Sequence, residues 1–232
     1  MRYDIILADI DNTLLDFSAD SYAGLEKTFR EFGYPFGRPE WEIFSVINTG
    51  LWEAFERGEI PKAEIYPGRF RRYFAKQGIE GDPEAMNAVY MVHLREGRHR
   101  MPGSLELLQA LKARGCRIYS VTNGETLSQI TRLGGNGLRP FFDGLFISEE
   151  IGYQKPTKAF FDAVFAELGE DCKMRCILLG DSLTSDMQGG RNAGVDTCFF
   201  GSPEKADSRC DYVITRLTDF LPVVDGTAEK RR

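Results

Sequence analysis

The residues able to do chemistry follow apolar runs. Asp9 and Asp11, in Asp9-Ile10-Asp11-Asn12-Thr13, come directly after Ile5-Ile6-Leu7-Ala8. Thr122-Asn123-Gly124 follows the run 117–121, and Gly180-Asp181, with Asp186 further on, follows Cys176-Ile177-Leu178-Leu179. Lys155 lies in the loop Ile151-Gly152-Tyr153-Gln154-Lys155-Pro156. Ionised carboxylates at the end of a buried strand are costly unless a cation or a proton is due there. Together these types suit phosphoryl transfer. A carboxylate nucleophile divides the hydrolysis of a phosphate monoester, among the slowest reactions in water, into two easier steps through an acyl phosphate. Carboxylate and phosphate repel each other, so a divalent cation must screen them. Mg²⁺ on Asp9, Asp181 and a backbone oxygen meets that ion's preference for a few carboxylates plus waters and substrate oxygens. Lys155, Thr122 and the N–H groups of Asn123 and Gly124 can bind the non-bridging oxygens. Asp11 is then left to protonate the leaving oxygen and later to deprotonate the attacking water.

Each feature taken singly has a plainer explanation. Asp186 alone is a helix cap or a solvated residue, Thr-Asn-Gly is an ordinary turn, and a lone Lys-Pro belongs to a surface. Their joint occurrence at strand ends argues for a site.

The elements that must hold these groups follow from hydrophobic spacing. From about Ser18 to Gly97 the pattern is helical: Tyr22, Leu25, Phe29 and Phe32 before Gly33, then Phe44, Ile47, Leu51 and Phe55 after Pro39. Phe70, Tyr73 and Phe74 before Gly78 form a third stripe, and Asp82-Pro83 opens a fourth helix carrying Met86, Tyr90, His93 and Leu94. From Pro102 onward short apolar strands at 117–121, 145–147, 176–179, 198–200 and 212–214 alternate with amphipathic stretches. That alternation predicts an α/β fold, a Rossmann-like parallel sheet covered on both faces, which the strand at 4–9 must join. The expected organisation is an α/β core of residues 1–15 and 98–226, an inserted all-helical cap of residues 16–97, and a flexible tail of residues 227–232. In open parallel sheets ligands bind outside the carboxyl ends of the strands, where the polar groups fall.

Four motifs, Asp9-Ile-Asp11-Asn-Thr13, Ser120-Val-Thr122-Asn123-Gly124, Lys155-Pro156 and Gly180-Asp181-Ser182-Leu-Thr-Ser185-Asp186, resemble in order and spacing those of the haloacid dehalogenase (HAD) superfamily phosphatases with an α-helical cap of the first subclass. The resemblance implies that Asp9 is the nucleophile and Asp11 the general acid/base. It also implies that Thr122 and Lys155 bind phosphate, and that Asp9, the Asp11 carbonyl and Asp181 hold Mg²⁺. Asp186 would join the metal site as a ligand, through metal-bound water, or as a support. Within that superfamily, Asp11-Asn-Thr-Leu-Leu-Asp16-Phe17, Asn48-Thr-Gly-Leu-Trp52-Glu-Ala-Phe55 and the stretch 180–190 resemble bacterial house-cleaning 5′-nucleotidases, which act on pyrimidine or non-canonical nucleoside monophosphates. The chain departs from the pattern at Asn12, where many relatives have Gly. Pro67-Gly68 is expected to interrupt a cap helix, and Gly134-Gly135-Asn136-Gly137 is rich in glycine.

The cap carries a substrate argument of its own. Asn48 and Trp52 are one helical turn apart, on a face turned about 100° from the Phe44/Ile47/Leu51/Phe55 stripe. A Trp with an amide one turn away suits stacking on a base and bonding its edge. Phe17, at the entry to the cap, is the candidate for the other side of such a slot. Packing of Trp52 within the protein is the competing explanation.

Composition narrows the alternatives. A net charge of −6 argues against nucleic acid as a partner. The five cysteines include no Cys-x-x-Cys pair and read as buried thiols, and two histidines are too few and too badly spaced for a structural zinc site with them. The apolar run before Asp9 is too short for a signal-peptide core, and no run approaches the roughly 18 apolar residues of a membrane span. The expectation is a cytoplasmic enzyme, monomer or homodimer, acting on a small phosphorylated metabolite, a nucleoside monophosphate by the resemblance, with neither nucleic acid nor membrane as partner. The alternative is a sugar-phosphate or other small-metabolite phosphatase, or a phosphomutase, of the same superfamily. A phosphoaspartate receiver domain needs no such helical insert. A dehalogenase needs no acid at Asp11, and a phosphonatase needs a cap lysine, for which Lys27, Lys62 and Lys76 have no recognisable setting.

Overall fold

In a computed structural model, which describes residues 1–231, β1 (Ile5–Ala8) is central to a six-stranded parallel sheet and is buried along its whole length. The strand order is β3 (Gly144–Ile147), β2 (Arg117–Thr122), β1, β4 (Cys176–Gly180), β5 (Asp196–Phe200), β6 (Tyr212–Ile214). All six strands expected from the apolar runs are present. A strand buried on both faces sends alternate side chains to opposite sides. Ile6, Ile118, Ile177 and Leu179 pack with Leu107, Leu108 and Leu111 on one face. Ile5, Leu7, Val121 and Leu178 pack with Phe160, Phe161, Val164 and Phe165 on the other. The strand order reverses at β1, whose neighbours are β2 and β4, and this is where an open α/β sheet opens a crevice beyond its carboxyl edge. Register brings the ends together there, because Ala8 pairs with Ser120 on one side and with Leu179 on the other.

The chain divides into two compact units, Met1–Asp16 with Arg98–Arg232, and Phe17–Gly97. The second consists of α1 (Phe17–Glu31), α2 (Arg38–Glu56), α3 (Ile65–Gln77) and α4 (Pro83–Arg95). It has its own core, in which Phe29, Phe44, Phe70, Tyr73 and Tyr90 meet at tilted or edge-on angles. Within the first unit, the segments leading out to and back from the helices run side by side: the Asp16 N–H donates to the His99 carbonyl and that of Met101 to Leu14. The remaining helices of this unit are α5 (Ser104–Ala113), α6 (Thr126–Gly135), α7 (Ser148–Ile151), α8 (Lys158–Leu168), α9 (Gln188–Ala193) and α10 (Phe220–Asp225). No helix among the described residues is long and apolar enough to cross a membrane.

Two sequence expectations need correction. Pro67-Gly68 does not interrupt α3, which starts at Ile65; Pro67 falls in the first turn, where its missing N–H has no intrahelical acceptor to lose. The buried stripe of α2 runs through Phe44, Asn48, Leu51 and Phe55, so Asn48 lies on that stripe and Ile47 is only partly buried. Residues 227–231, expected as a tail, make contacts with the rest of their unit. The Thr227 and Ala228 N–H groups donate to the Pro222 carbonyl, Lys230 pairs with Asp196 and Asp211, and the Arg231 N–H donates to the Asp211 carbonyl. Arg232, the end of that expected tail, lies outside the described residues. The Lys230 ammonium is the one side-chain cation of the described segment that pairs with Asp196 and Asp211.

Asn12 explains its departure from glycine. Its φ of 59° lies in the left-handed region, which Asn tolerates through its short polar side chain. Substituting Gly there should leave the denaturation midpoint nearly unchanged, whereas Asn12→Val should cost about 1–2 kcal/mol in a urea titration.

Candidate active site

Three carboxylates crowd the ends of β1 and β4. One oxygen each from Asp9, Asp181 and Asp186 lies within 4.8 Å of the others. A single ammonium answers them: Lys155 Nζ donates to Asp9 Oδ1 at 2.8 Å and to Asp186 Oδ1 at 2.6 Å, with its own side chain 1% exposed. Burial alone would lower the Lys155 pKa, but the Asp186 and Asp9 carboxylates outweigh it and hold the amine firmly charged. The carboxylates are left with a surplus of negative charge. Burial pushes Asp9 up to about 7, Lys155 pulling against it and Asp186 adding to it. Burial, then Asp9 and Asp186, raise Asp181 well above the usual carboxylate range. Thr13 Oγ1 lies between two of them, 3.2 Å from Asp9 Oδ2 and 3.3 Å from Asp181 Oδ1. One hydroxyl proton cannot serve both, so the strain among the anions remains.

Local geometry explains how such a cluster is held. Asp186 sits in a turn wound wider than an α-helix, residues 183–187, and its Oδ2 accepts the Ser182 N–H at 3.1 Å. Its carboxylate lies against Gly180, where an added Cβ would come within 2.3 Å of it, so the strand end must be glycine for the acid to approach. Lys155 is positioned through its backbone. Asn123 Oδ1 accepts the Lys155 N–H and Asn123 Nδ2 donates to the Lys155 carbonyl, both at 2.9 Å. The Asn123 side chain therefore braces the lysine, a different use from the phosphate contact expected of its N–H. Thr122, buried at the end of β2, accepts the Gly124 N–H on Oγ1 at 3.0 Å.

Asp11 is held apart from this cluster. Its Oδ2 accepts from Gln129 Nε2 at 2.5 Å, and its Oδ1 forms a short ion pair with Arg132 Nη1. Its carboxylate is not part of the three-acid group that could hold a metal ion. The resemblance implied the Asp11 carbonyl in that role. Gln129, Arg132 and Thr13 were not singled out from the sequence. Thr13 was visible inside the first motif, but nothing in its spacing marked it as bridging two acids.

The helical-unit candidates are placed as follows. Asn48 is buried and its Oδ1 is 3.5 Å from Arg69 Nη1, while the same guanidinium donates to Asn87 Oδ1 and lies 4.5 Å from the centre of the Tyr90 ring. Trp52 packs edge-on to Phe55, 6.0 Å between centroids, in a small cluster with Leu51 and Ile65. Phe17, the first residue of α1, packs against the aromatic core of the unit.

The donor set fits a divalent cation. Hard oxygen ligands converge, Lys155 is the one ammonium among the described residues that answers three acids, and burial with mutual repulsion holds Asp9 and Asp181 above the usual carboxylate range, a cost that a divalent cation would relieve.

The haloacid dehalogenase-like hydrolase family matches residues 3–194. The pyrimidine 5′-nucleotidase PynA of Streptococcus pneumoniae is 35% identical over 97% of this chain and 96% of its own, and the pyrimidine 5′-nucleotidase YjjG of Escherichia coli 33% over 87% and 88%. A solved structure of the HAD-hydrolase YfnB from Bacillus subtilis, bound to magnesium, superposes with a TM-score of 0.90 at 33% identity, covering 97% of this chain and 100% of that one.

If the acidic cluster binds a divalent cation, Mg²⁺ should raise the melting temperature relative to chelator. The expected gain is about 2.7 kcal/mol at a hundredfold excess over Kd. Asp181→Asn should remove most of the shift; a shift equal to wild type would rule the cluster out as the binding site.

Proposed function

The chain belongs to the haloacid dehalogenase-like hydrolases, and on that premise we propose that it is a phosphomonoesterase acting through an aspartyl phosphate on nucleoside 5′-monophosphates. The observation that carries the chemistry is the pairing of Asp9 and Asp186 with the buried Lys155, beside a second Asp that is held separately. Asp9 attacks phosphorus through a carboxylate oxygen and the bond to the leaving oxygen breaks. Asp11 gives that oxygen its proton. Asp11, now ionised, takes a proton from water as the water attacks the phosphorus of the aspartyl phosphate, which restores Asp9 and releases inorganic phosphate. Lys155 and Thr122, with the N–H groups of Asn123 and Gly124, hold the non-bridging oxygens. Asp9 and Asp181, with Asp186 as ligand or support, would hold Mg²⁺, which supplies the charge screening that lets one anion approach another.

The substrate class is supported by the near full-length relatives named pyrimidine 5′-nucleotidases. We assign selection of the base to the helical unit, with the partly exposed Phe17 and Trp52 as its candidate residues; Asn48, turned inward to Arg69, is set aside.

A phosphate-release screen over nucleotides, sugar phosphates and phosphonates, with and without chelator, tests the proposal. The highest kcat/KM is expected on pyrimidine nucleoside 5′-monophosphates and only with Mg²⁺; a sugar phosphate turned over better would overturn the substrate assignment. Asp9→Asn should abolish turnover on every substrate. Trp52→Ala should lower kcat/KM on nucleotides more than on an aryl phosphate, and equal losses would refute a role in reading the base.

A further inference from the structure

Helix α6 is amphipathic in the wrong sense for a helix that only covers a core. Its apolar Leu127 and Ile130 are 54% and 45% exposed, while Ser128, Gln129 and Arg132 are buried with Leu133. The hydrophobic effect favours the opposite arrangement, and burying a guanidinium is costly unless it is paired. One carboxylate draws two of these polar side chains inward. Gln129 and Arg132 are three residues apart and so share a face, and they bond the two oxygens of Asp11 separately.

The details specify this contact closely. Gln129 is 1% exposed and its Oε1 is buried with no hydrogen-bond partner. A flipped amide would set Oε1 against Asp11 Oδ2, oxygen on oxygen, so the orientation observed is the one the carboxylate dictates. The amide also lies across Gly124, where an added Cβ would be 2.0 Å from Nε2, so this side chain reaches Asp11 only because the phosphate-loop residue has none. Each Asp11 oxygen accepts one of these bonds and retains a lone pair. The clamp fixes the direction of the carboxylate and leaves a lone pair free on each oxygen.

We propose that Gln129 and Arg132 are positioning residues of the reaction, which act by holding Asp11 in the orientation from which it transfers protons. The inference rests on the reading that Asp11 is the general acid/base. Without the clamp the Asp11 side chain samples other rotamers, and only a fraction of enzyme molecules present it to the leaving oxygen.

The test uses leaving groups. kcat/KM covers the steps through departure of the leaving group, and a nucleotide's alkoxide needs a proton where 4-nitrophenolate needs none. Gln129→Met and Arg132→Met should lower kcat/KM on the nucleoside monophosphate by about tenfold or more, part of the ~10²–10⁴ that general acid–base catalysis supplies, and change it on 4-nitrophenyl phosphate by less than about twofold. Arg132→Lys should recover part of the loss. Arg132→Met can fail to fold, and Gln129→Met, close in size, then carries the test alone. Asp11→Asn measured alongside should show the same substrate-dependent loss. If it does and the clamp variants lose both substrates equally, or neither, the positioning role is wrong. If Asp11→Asn itself spares the nucleotide, the acid/base reading fails and the clamp falls with it.

Discussion

The buried ammonium of Lys155 is the interaction on which the rest of the site depends. Two carboxylates from different strand ends lie within 2.8 Å of it, in a place where an unpaired anion is severely penalised. Removing one partner from a buried pair costs on the order of 3–5 kcal/mol, so each acid is held in place by the lysine as much as the lysine by the acids. The lysine in turn is braced by Asn123 at the end of β2. Three neighbouring strands, β2, β1 and β4, are thereby coupled through one side chain. One positive charge does not balance three acids, and this residual imbalance suits the cluster to a divalent cation.

A different rule governs Asp11. It sits two residues from Asp9, yet its carboxylate is bonded to α6 and not to the lysine. Two acids so close in sequence acquire different environments because residues 10–15 turn sharply, with Asn12 in a left-handed conformation and the Asn12 N–H donating to the Leu15 carbonyl at 2.7 Å. The division of labour proposed between them, attack by one and proton transfer by the other, has this backbone turn as its physical origin.

Much of the architecture is legible from residue pattern, because it rests on the strongest signals. The strands are short apolar runs that end in polar residues, and the helical unit is a series of apolar stripes, so periodicity finds both. Asp9 and Asp181 are legible for the same reason, since each stands at the border of such a run; Lys155, in a loop, and Asp186, five residues past Asp181, were singled out by occurring together with them in motif order. Helix α6 was not, because Leu127 and Ile130 face outward while Ser128, Gln129 and Arg132 lie buried beside Leu133, which blurs the pattern that identifies a helix. Asn48 misled in the same way: an amide in an apolar stripe is read as facing outward, whereas Arg69 receives it inside. Polar residues buried to serve other polar residues leave no periodic trace, and those at Gln129 and Arg132 hold an acid of the site.

The central claim is that Asp9 becomes covalently phosphorylated while Asp11 moves the protons. Its most direct measurement is acid-quenched labelling of Asp11→Asn with a phosphate-labelled aryl ester, followed by peptide mapping. The aryl group leaves unaided, so transfer proceeds while the water step, deprived of its base, stalls. The account predicts stable label on the peptide that contains Asp9, absent in the Asp9→Asn/Asp11→Asn double variant. Label on another residue, or phosphate released with no labelled enzyme at any time, would contradict it.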